Sequence, residues 1–201
     1  MMHIAGILLA AGRGTRFGGD KLLAALPLGA LDAPAGTAVG VAAASHLASA
    51  LPGSIAVVRS GDTVLADALR NAGLGVVECV DADRGMGRSL ACGAMAMSQA
   101  GGFVVALADM PWISPSTIRA VADALARGAA IVAPRYRGAR GHPVGFGRRH
   151  FPALCALDDD AGARSIVAAH SDELTLLDVD DAGIVRDVDT PAALAPPDQQ
   201  H

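Results

Sequence analysis

A chain of 201 residues that is 52% hydrophobic but only 3% aromatic has the length for one domain, and its small aliphatic residues suit helices on a parallel sheet better than an aromatic-cored sandwich. Its net charge of −4 supplies no basic field, which excludes nucleic acid and anionic membranes as general partners. Three scattered cysteines without a CxxC pair argue against a disulfide framework or zinc site and fit the reducing cytoplasm, and no apolar run is long enough to span a bilayer.

Short apolar runs alternate with helix-like stretches, the signature of βαβ units and an α/β fold. The first strand is expected over 3–10. That run is short enough for the apolar part of a signal peptide, but no basic segment precedes it and it leads into a Gly-rich loop, so we read it as a buried strand. A Pro/Gly-rich loop or short hairpin follows at 26–36, then an Ala-rich helix over 37–51. Strands are expected over 54–59 and 75–79, with a helix between them that Asp62 caps and Gly73 ends. A fourth strand covers 103–108. Ser114 and Pro115 open the next helix and Gly128 closes it. Strands at 129–134, 143–147 and 174–179 complete the pattern. The stretch 135–149 (RYRGARGHPVGFGRR) is basic and Gly-rich, too polar for core, and a candidate functional loop. One domain is expected over 1–195, with 196–201 a frayed tail.

The first strand runs into Gly12-Arg13-Gly14-Thr15-Arg16-Phe17-Gly18-Gly19-Asp20-Lys21. Four glycines let backbone N–H groups converge into an anion-binding nest, and Arg13, Arg16 and Lys21 add the positive charge a triphosphate needs. Two familiar phosphate motifs fail here. A dinucleotide GxGxxG needs glycine where Phe17 stands, and an acidic ribose ligand where Val58-Arg59-Ser60 stands. A Walker A loop needs lysine directly after its last glycine, but Asp20 intervenes and Leu22 replaces the hydroxyl. A tight turn with solvated charges is the plainer alternative.

Two acidic positions stand out. Asp109 follows an apolar strand, where α/β sheets bind ligands, and Mg²⁺ needs only one or two carboxylates beside phosphate oxygens. Asp189, in Asp187-Val188-Asp189-Thr190-Pro191, is either a second ligand or the cap of a short helix near Pro191. Asp81-x-Asp83 is a weak three-residue metal signal. Ser89, in Gly85-Met86-Gly87-Arg88-Ser89-Leu90, either caps a helix or sits beside a bound anion at that helix's N-terminus. His142, alone in its loop, reads most simply as polar surface.

The string LLAAGRGTRFGGDKLL resembles the signature of the molybdenum cofactor cytidylyltransferases and the wider molybdopterin nucleotidyltransferase-like (NTP transferase) family. ALADMPW resembles its LxDMP metal motif, DVDTPAAL its D(I/V)DTP motif, GMGRSL its GMGxSL segment and GHPV its second-substrate motif. These motifs occur in the family's order from residue 7 to 194. The resemblance implies a Rossmann-like, GT-A-like three-layer sandwich whose mostly parallel sheet contains one antiparallel strand. It also implies a nucleoside-triphosphate site formed by Leu9, Ala10, Ala11, Gly12, Gly14, Thr15, Arg16, Gly18, Lys21, Gly87 and Ser89. Lys21 and Arg13 are expected on the phosphates and Mg²⁺ on Asp109 and Asp189. His142, Pro143, Asp160 and Arg164 are expected on the second substrate. Asp159 replaces the glycine of the family's GDxGAR segment, which predicts a less tight loop, and the segment 26–36 is longer than the family's turn.

The implied reaction is attack by a terminal phosphate of the acceptor on the α-phosphorus of CTP, with release of pyrophosphate, and the implied acceptor is molybdopterin-bound molybdenum. Ala10-Ala11-Gly12 resembles the cytidylyl branch, whereas the guanylyl branch reads Ala-Gly-Gly. A GTP-using transferase and a sugar-phosphate nucleotidyltransferase are the enzymatic alternatives. A carrier that hands the cofactor to a molybdenum hydroxylase without turnover is the alternative of another class.

Overall fold

The computed structural model describes residues 3–12, 17, 20–27, 34 and 36–194. Along them run β1 (Ile4–Leu9), α1 (Val39–Ala50), β2 (Ile55–Arg59), α2 (Thr63–Asn71), β3 (Gly75–Cys79), α3 (Met86–Ala96) and β4 (Gly102–Leu107). After these come α4 (Pro115–Ala126), β5 (Ile131–Tyr136), β6 (Ala139–Arg140), β7 (Val144–Gly147), α5 (Phe151–Cys155), α6 (Arg164–Ala169) and β8 (Leu174–Asp178). The eight strands form one sheet in the order β3-β2-β1-β4-β7-β5-β6, with β8 paired to β5. The β1, β2, β3 and β4 pairings are parallel, as is β5 with β8. β7 runs antiparallel between β4 and β5, and the two-residue β6 turns back on β5.

β1 is apolar along its whole length because both of its faces are covered. Ile4, Leu8 and Ala10 join the core that includes α1, α2 and α4, while Ala5, Ile7, Leu9 and Ala11 join the core that includes α3, α5 and α6. The period-2 alternation of a strand thus supplies two cores, and the fold is a three-layer sandwich. α3 lies close to the sheet: a Cβ on Gly93 would come within 2.8 Å of both Ile7 and Val57. No described helix is long and apolar enough to cross a membrane.

Local chemistry explains the helix ends. The Asp62 carboxylate accepts from Leu65 N–H at 3.3 Å. Ser114 Oγ accepts from Ser116 N–H at 3.1 Å, and Pro115 takes the first helical position, where no donor is needed. Gly73 and Gly128 end α2 and α4 with φ of 95° and 102°, a conformation that costs glycine nothing.

One expectation about loops changes and one is made specific. The basic stretch 135–149 is not irregular: it makes β6 and β7, and Phe146 is fully buried between the strands that flank it. Its polarity had a local cause: Arg135 ends β5, Arg137 lies in the β5–β6 turn, Arg140 is on β6, and Arg148 and Arg149 follow β7, while Gly141, Gly145 and Phe146 are buried. In the 26–36 segment, Leu26 N–H donates to the Thr37 carbonyl at 2.9 Å and Ala25 bridges Ala38, so its base is closed like a hairpin. Residues 28–33 and 35, and the tail 195–201, lie outside the described residues.

One glycine ties the β6–β7 segment to the C-terminal part of the chain. A Cβ on Gly141 would lie 2.1 Å from the Ile184 carbonyl oxygen, whose bond from His142 N–H is 2.9 Å long. Gly141→Ala is therefore expected to lower stability by roughly 1–3 kcal/mol, measured as the shift in the urea midpoint.

Candidate active site

The strand order reverses between β1 and β4, which both neighbour the sheet's centre but lead to opposite sides. Ligands in open α/β sheets bind beyond the carboxyl ends of strands at such a point. Here Leu9 pairs with Leu107 as the last residues of β1 and β4. Beyond them opens a cleft of about 430 Å³, lined at its floor by Leu9, Ala10, Ala11, Gly12 and Leu107.

Three charged side chains from distant parts of the sequence meet in this cleft. Asp109 is brought by β4, Lys21 by the turn after the Gly-rich loop, and Asp189 by the C-terminal crossing. Lys21 Nζ donates to Asp109 Oδ2 at 2.7 Å and to Asp189 Oδ1 at 3.3 Å. The approach of Asp189 is set by backbone: Val188 N–H donates to the Asp109 carbonyl at 2.8 Å, and the Val188 side chain is fully buried. Burial alone would lower the Lys21 pKa, but the hydrogen bonds and negative charge of Asp109, then Asp189, outweigh it and hold the ammonium above its usual range.

The opposite wall comes from the α3 start and its neighbours. Gly85 caps α3 with φ of 119°, so Ser89 does not cap the helix as the sequence allowed. It lies within the first turn, buried, and lines the cleft with Met86. Gly87 does not itself line the cleft; its N–H donates to the Asp159 carbonyl at 2.7 Å. A Cβ on Gly85 or Gly87 would come within 2.7 Å of the Asp159–Asp160 loop. That loop is also closed from within, since Asp159 Oδ1 accepts from Gly162 N–H at 3.2 Å. The aspartate at 159 therefore does not loosen the loop, because its carboxylate makes the turn-closing bond itself.

Asp81 and Asp83 are not a shared metal pair. Asp81 faces Arg88 at 3.4 Å, and Asp83 pairs with Arg59. Arg59 also donates from Nη2 to the Ala11 carbonyl at 2.9 Å, so the end of β2 is tied to the end of β1. Arg59 and Asp83 both line the cleft, which motif reading missed. Their signal was position: Arg59 ends β2, which pairs with β1, and Asp83 follows β3, which pairs with β2, so both lie at the carboxyl edge of the parallel strands.

Of the residues expected on a second substrate, Asp160 lines the cleft. Pro143 is buried. His142 is not polar surface: its Nδ1 is buried and has no hydrogen-bond partner. Burial pushes its pKa down to about 4, with Arg164 and Arg140 pressing the same way against the opposing charge of Asp109. Arg13, Gly14, Thr15, Arg16 and Gly18 lie outside the described residues.

A family model described as the MobA-like NTP transferase domain matches residues 6–174. The chain belongs to this family. It is a nucleotidyltransferase. Among solved structures, the Mycobacterium tuberculosis H37Rv protein Rv0371c is 29% identical with a TM-score of 0.76, covering 96% of this chain and 95% of its own. The same protein in complex with manganese is 28% identical with a TM-score of 0.71, covering 95% of each chain. A Methanothermobacter nucleotidyl transferase shares the fold at 21% identity and a TM-score of 0.77, covering 95% of this chain and 94% of its own. No curated protein matches the chain. In this MobA-like NTP transferase, the two carboxylates on one ammonium form an all-oxygen donor set that fits a hard divalent cation.

The depressed His142 pKa has a sign that can be checked. Protonation is harder in the folded than in the unfolded state, so the contribution of His142 is complete above its unfolded value of 6.5 and is lost as pH falls toward about 4. The loss amounts to up to about 3 kcal/mol. In EDTA, His142→Gln is expected to flatten the fall in unfolding free energy between those pH values. An acid slope identical to that of the wild type would contradict the buried, neutral ring.

Proposed function

We propose that this nucleotidyltransferase moves CMP from CTP onto the terminal phosphate of a molybdopterin-type acceptor and releases pyrophosphate. The observation that carries this reading is the meeting of Lys21, Asp109 and Asp189 at the open end of β1 and β4, directly after a Gly-rich loop. The choice of CTP rests on Ala10-Ala11-Gly12, which line the cleft floor and resemble the cytidylyl form of the motif.

In this reading Leu9 to Gly12, Met86 and Ser89 hold the nucleoside, and Arg13, Gly14, Thr15, Arg16 and Gly18 wrap the triphosphate together with Lys21. Asp109 and Asp189 hold Mg²⁺, whose charge, when bound there, offsets that of the reacting phosphates. Asp160, Arg164, His142 and Pro143 orient the acceptor. Its phosphate oxygen forms the new bond to the α-phosphorus as the bond to the β-phosphate bridging oxygen breaks, and pyrophosphate leaves with that electron pair. An acceptor phosphate is already ionised near neutral pH and needs no strong base, which suits a histidine kept neutral. The work of these residues is positioning and charge stabilisation. The product serves a molybdenum hydroxylase in the cytoplasm, where Cys79, Cys92 and Cys155 remain free thiols.

Pyrophosphate release with Mg²⁺ and each of CTP, GTP, ATP and UTP, with and without molybdenum cofactor, tests the assignment. Release is expected only with CTP plus cofactor. Asp109→Ala is expected to abolish it, and Asp189→Asn to slow it by about 100-fold or more. Release with GTP instead would replace the base assignment and keep the mechanism. Cofactor binding without release for any triphosphate would make the chain a carrier.

A further inference from the structure

We infer that Lys21 is a built-in counter-cation, whose ammonium occupies the place between Asp109 and Asp189 that a divalent ion needs, so that this place opens only when a triphosphate draws Lys21 away. The inference rests on the reading above that these two aspartates hold the metal.

The geometry makes the two cations alternatives. Lys21 Nζ is 2.7 Å from Asp109 and 3.3 Å from Asp189, and its side chain is only 11% exposed. A magnesium-sized ion must approach carboxylate oxygens to about 2.0–2.1 Å, so an ion held by this pair would stand against the ammonium, beside carboxylates that are 22% and 41% exposed. Like charges in near contact repel even where solvent screens them in part. One cation therefore has to leave.

The lysine is built to be the one that leaves. Its neighbour Leu22 is buried in the core, and the Leu22 carbonyl accepts from Gly40 N–H at 2.8 Å, which anchors the base of the side chain. Its four-carbon stem is flexible and its donors rotate freely, so the ammonium can change partners without backbone movement. A triphosphate offers acceptors of higher charge than two carboxylates. Moving the ammonium onto phosphate neutralises part of the nucleotide and removes Lys21 from the place between the two aspartates in one step. The nucleotide-free pair is thus already partly charge-compensated, and metal is taken up together with the nucleotide rather than before it.

Binding of Mn²⁺ to the full chain without nucleotide, followed by electron paramagnetic resonance, tests this independently of turnover. Lys21→Met is expected to bind Mn²⁺ at least tenfold more tightly than the wild type, with Lys21→Gln as the second neutral variant should the first not fold. Asp109→Asn is expected to lose the site. Arg59→Gln removes another cleft cation that touches neither carboxylate, and is expected to change Mn²⁺ affinity less than threefold. Tightening by Arg59→Gln equal to that of Lys21→Met would reduce the effect to a general field and overturn the inference. Mn²⁺ binding by the Lys21 variants no tighter than the wild type, with Asp109→Asn still deficient, would overturn it while leaving the metal reading intact. Unchanged Mn²⁺ binding by Asp109→Asn would overturn the metal reading and this inference with it.

Discussion

Two carboxylates and an ammonium from three remote parts of the chain share one point in space, and much of the architecture serves to hold them there. Asp109 and Asp189 are eighty residues apart and of like charge, so nothing local draws them together. The bond from Val188 N–H to the Asp109 carbonyl, 2.8 Å long, overrides their repulsion by fixing backbone to backbone. The buried Val188 side chain anchors that junction. Lys21 then neutralises part of the charge that the junction concentrates.

The sheet supplies the rigid base for this arrangement. β1 and β4 pair over their full length, from Ile4 with Gly102 to Leu9 with Leu107, and both are buried on their two faces. A strand with packed neighbours on every side has few ways to move, so the residues just beyond it inherit its precision. The cleft walls, in contrast, are loops joined to loops. The α3 start is seated against the 159–162 loop through Gly87 N–H and the Asp159 carbonyl, at a spacing that leaves no room for side chains on Gly85 or Gly87. Arg59 joins the end of β2 to the Ala11 carbonyl in the same manner.

The antiparallel β7 shows how the second half of the molecule differs from the first. It enters between β4 and β5 and places the Gly141–Pro143 turn beside the C-terminal crossing, where Gly141 meets Ile184. His142 is thereby half-buried with its Nδ1 fully covered, and its charge is suppressed by desolvation more than by any single neighbour.

The sequence by itself determined most of the secondary structure, though not β6, α5 or α6. Alternating apolar runs, an aspartate and a serine at helix starts, and glycines after helix ends are local signals that report local energetics, which is why seven of the strands were legible as strands. The Gly-rich loop and the isolated acidic residues after strands were legible for the same reason: strand ends announce themselves, and charge placed there has few structural uses. Only the tertiary structure decided which charges meet. That Lys21 lies between Asp109 and Asp189, that Arg59 reaches the Ala11 carbonyl and pairs with Asp83, and that the Nδ1 of His142 is buried are facts about crossings of the chain. So is the tight loop around Asp159, whose carboxylate does the closing that the sequence pattern reserves for glycine. Pairing across such distances is set by packing and backbone bonds between segments remote in the chain, and no spacing along the sequence encodes it.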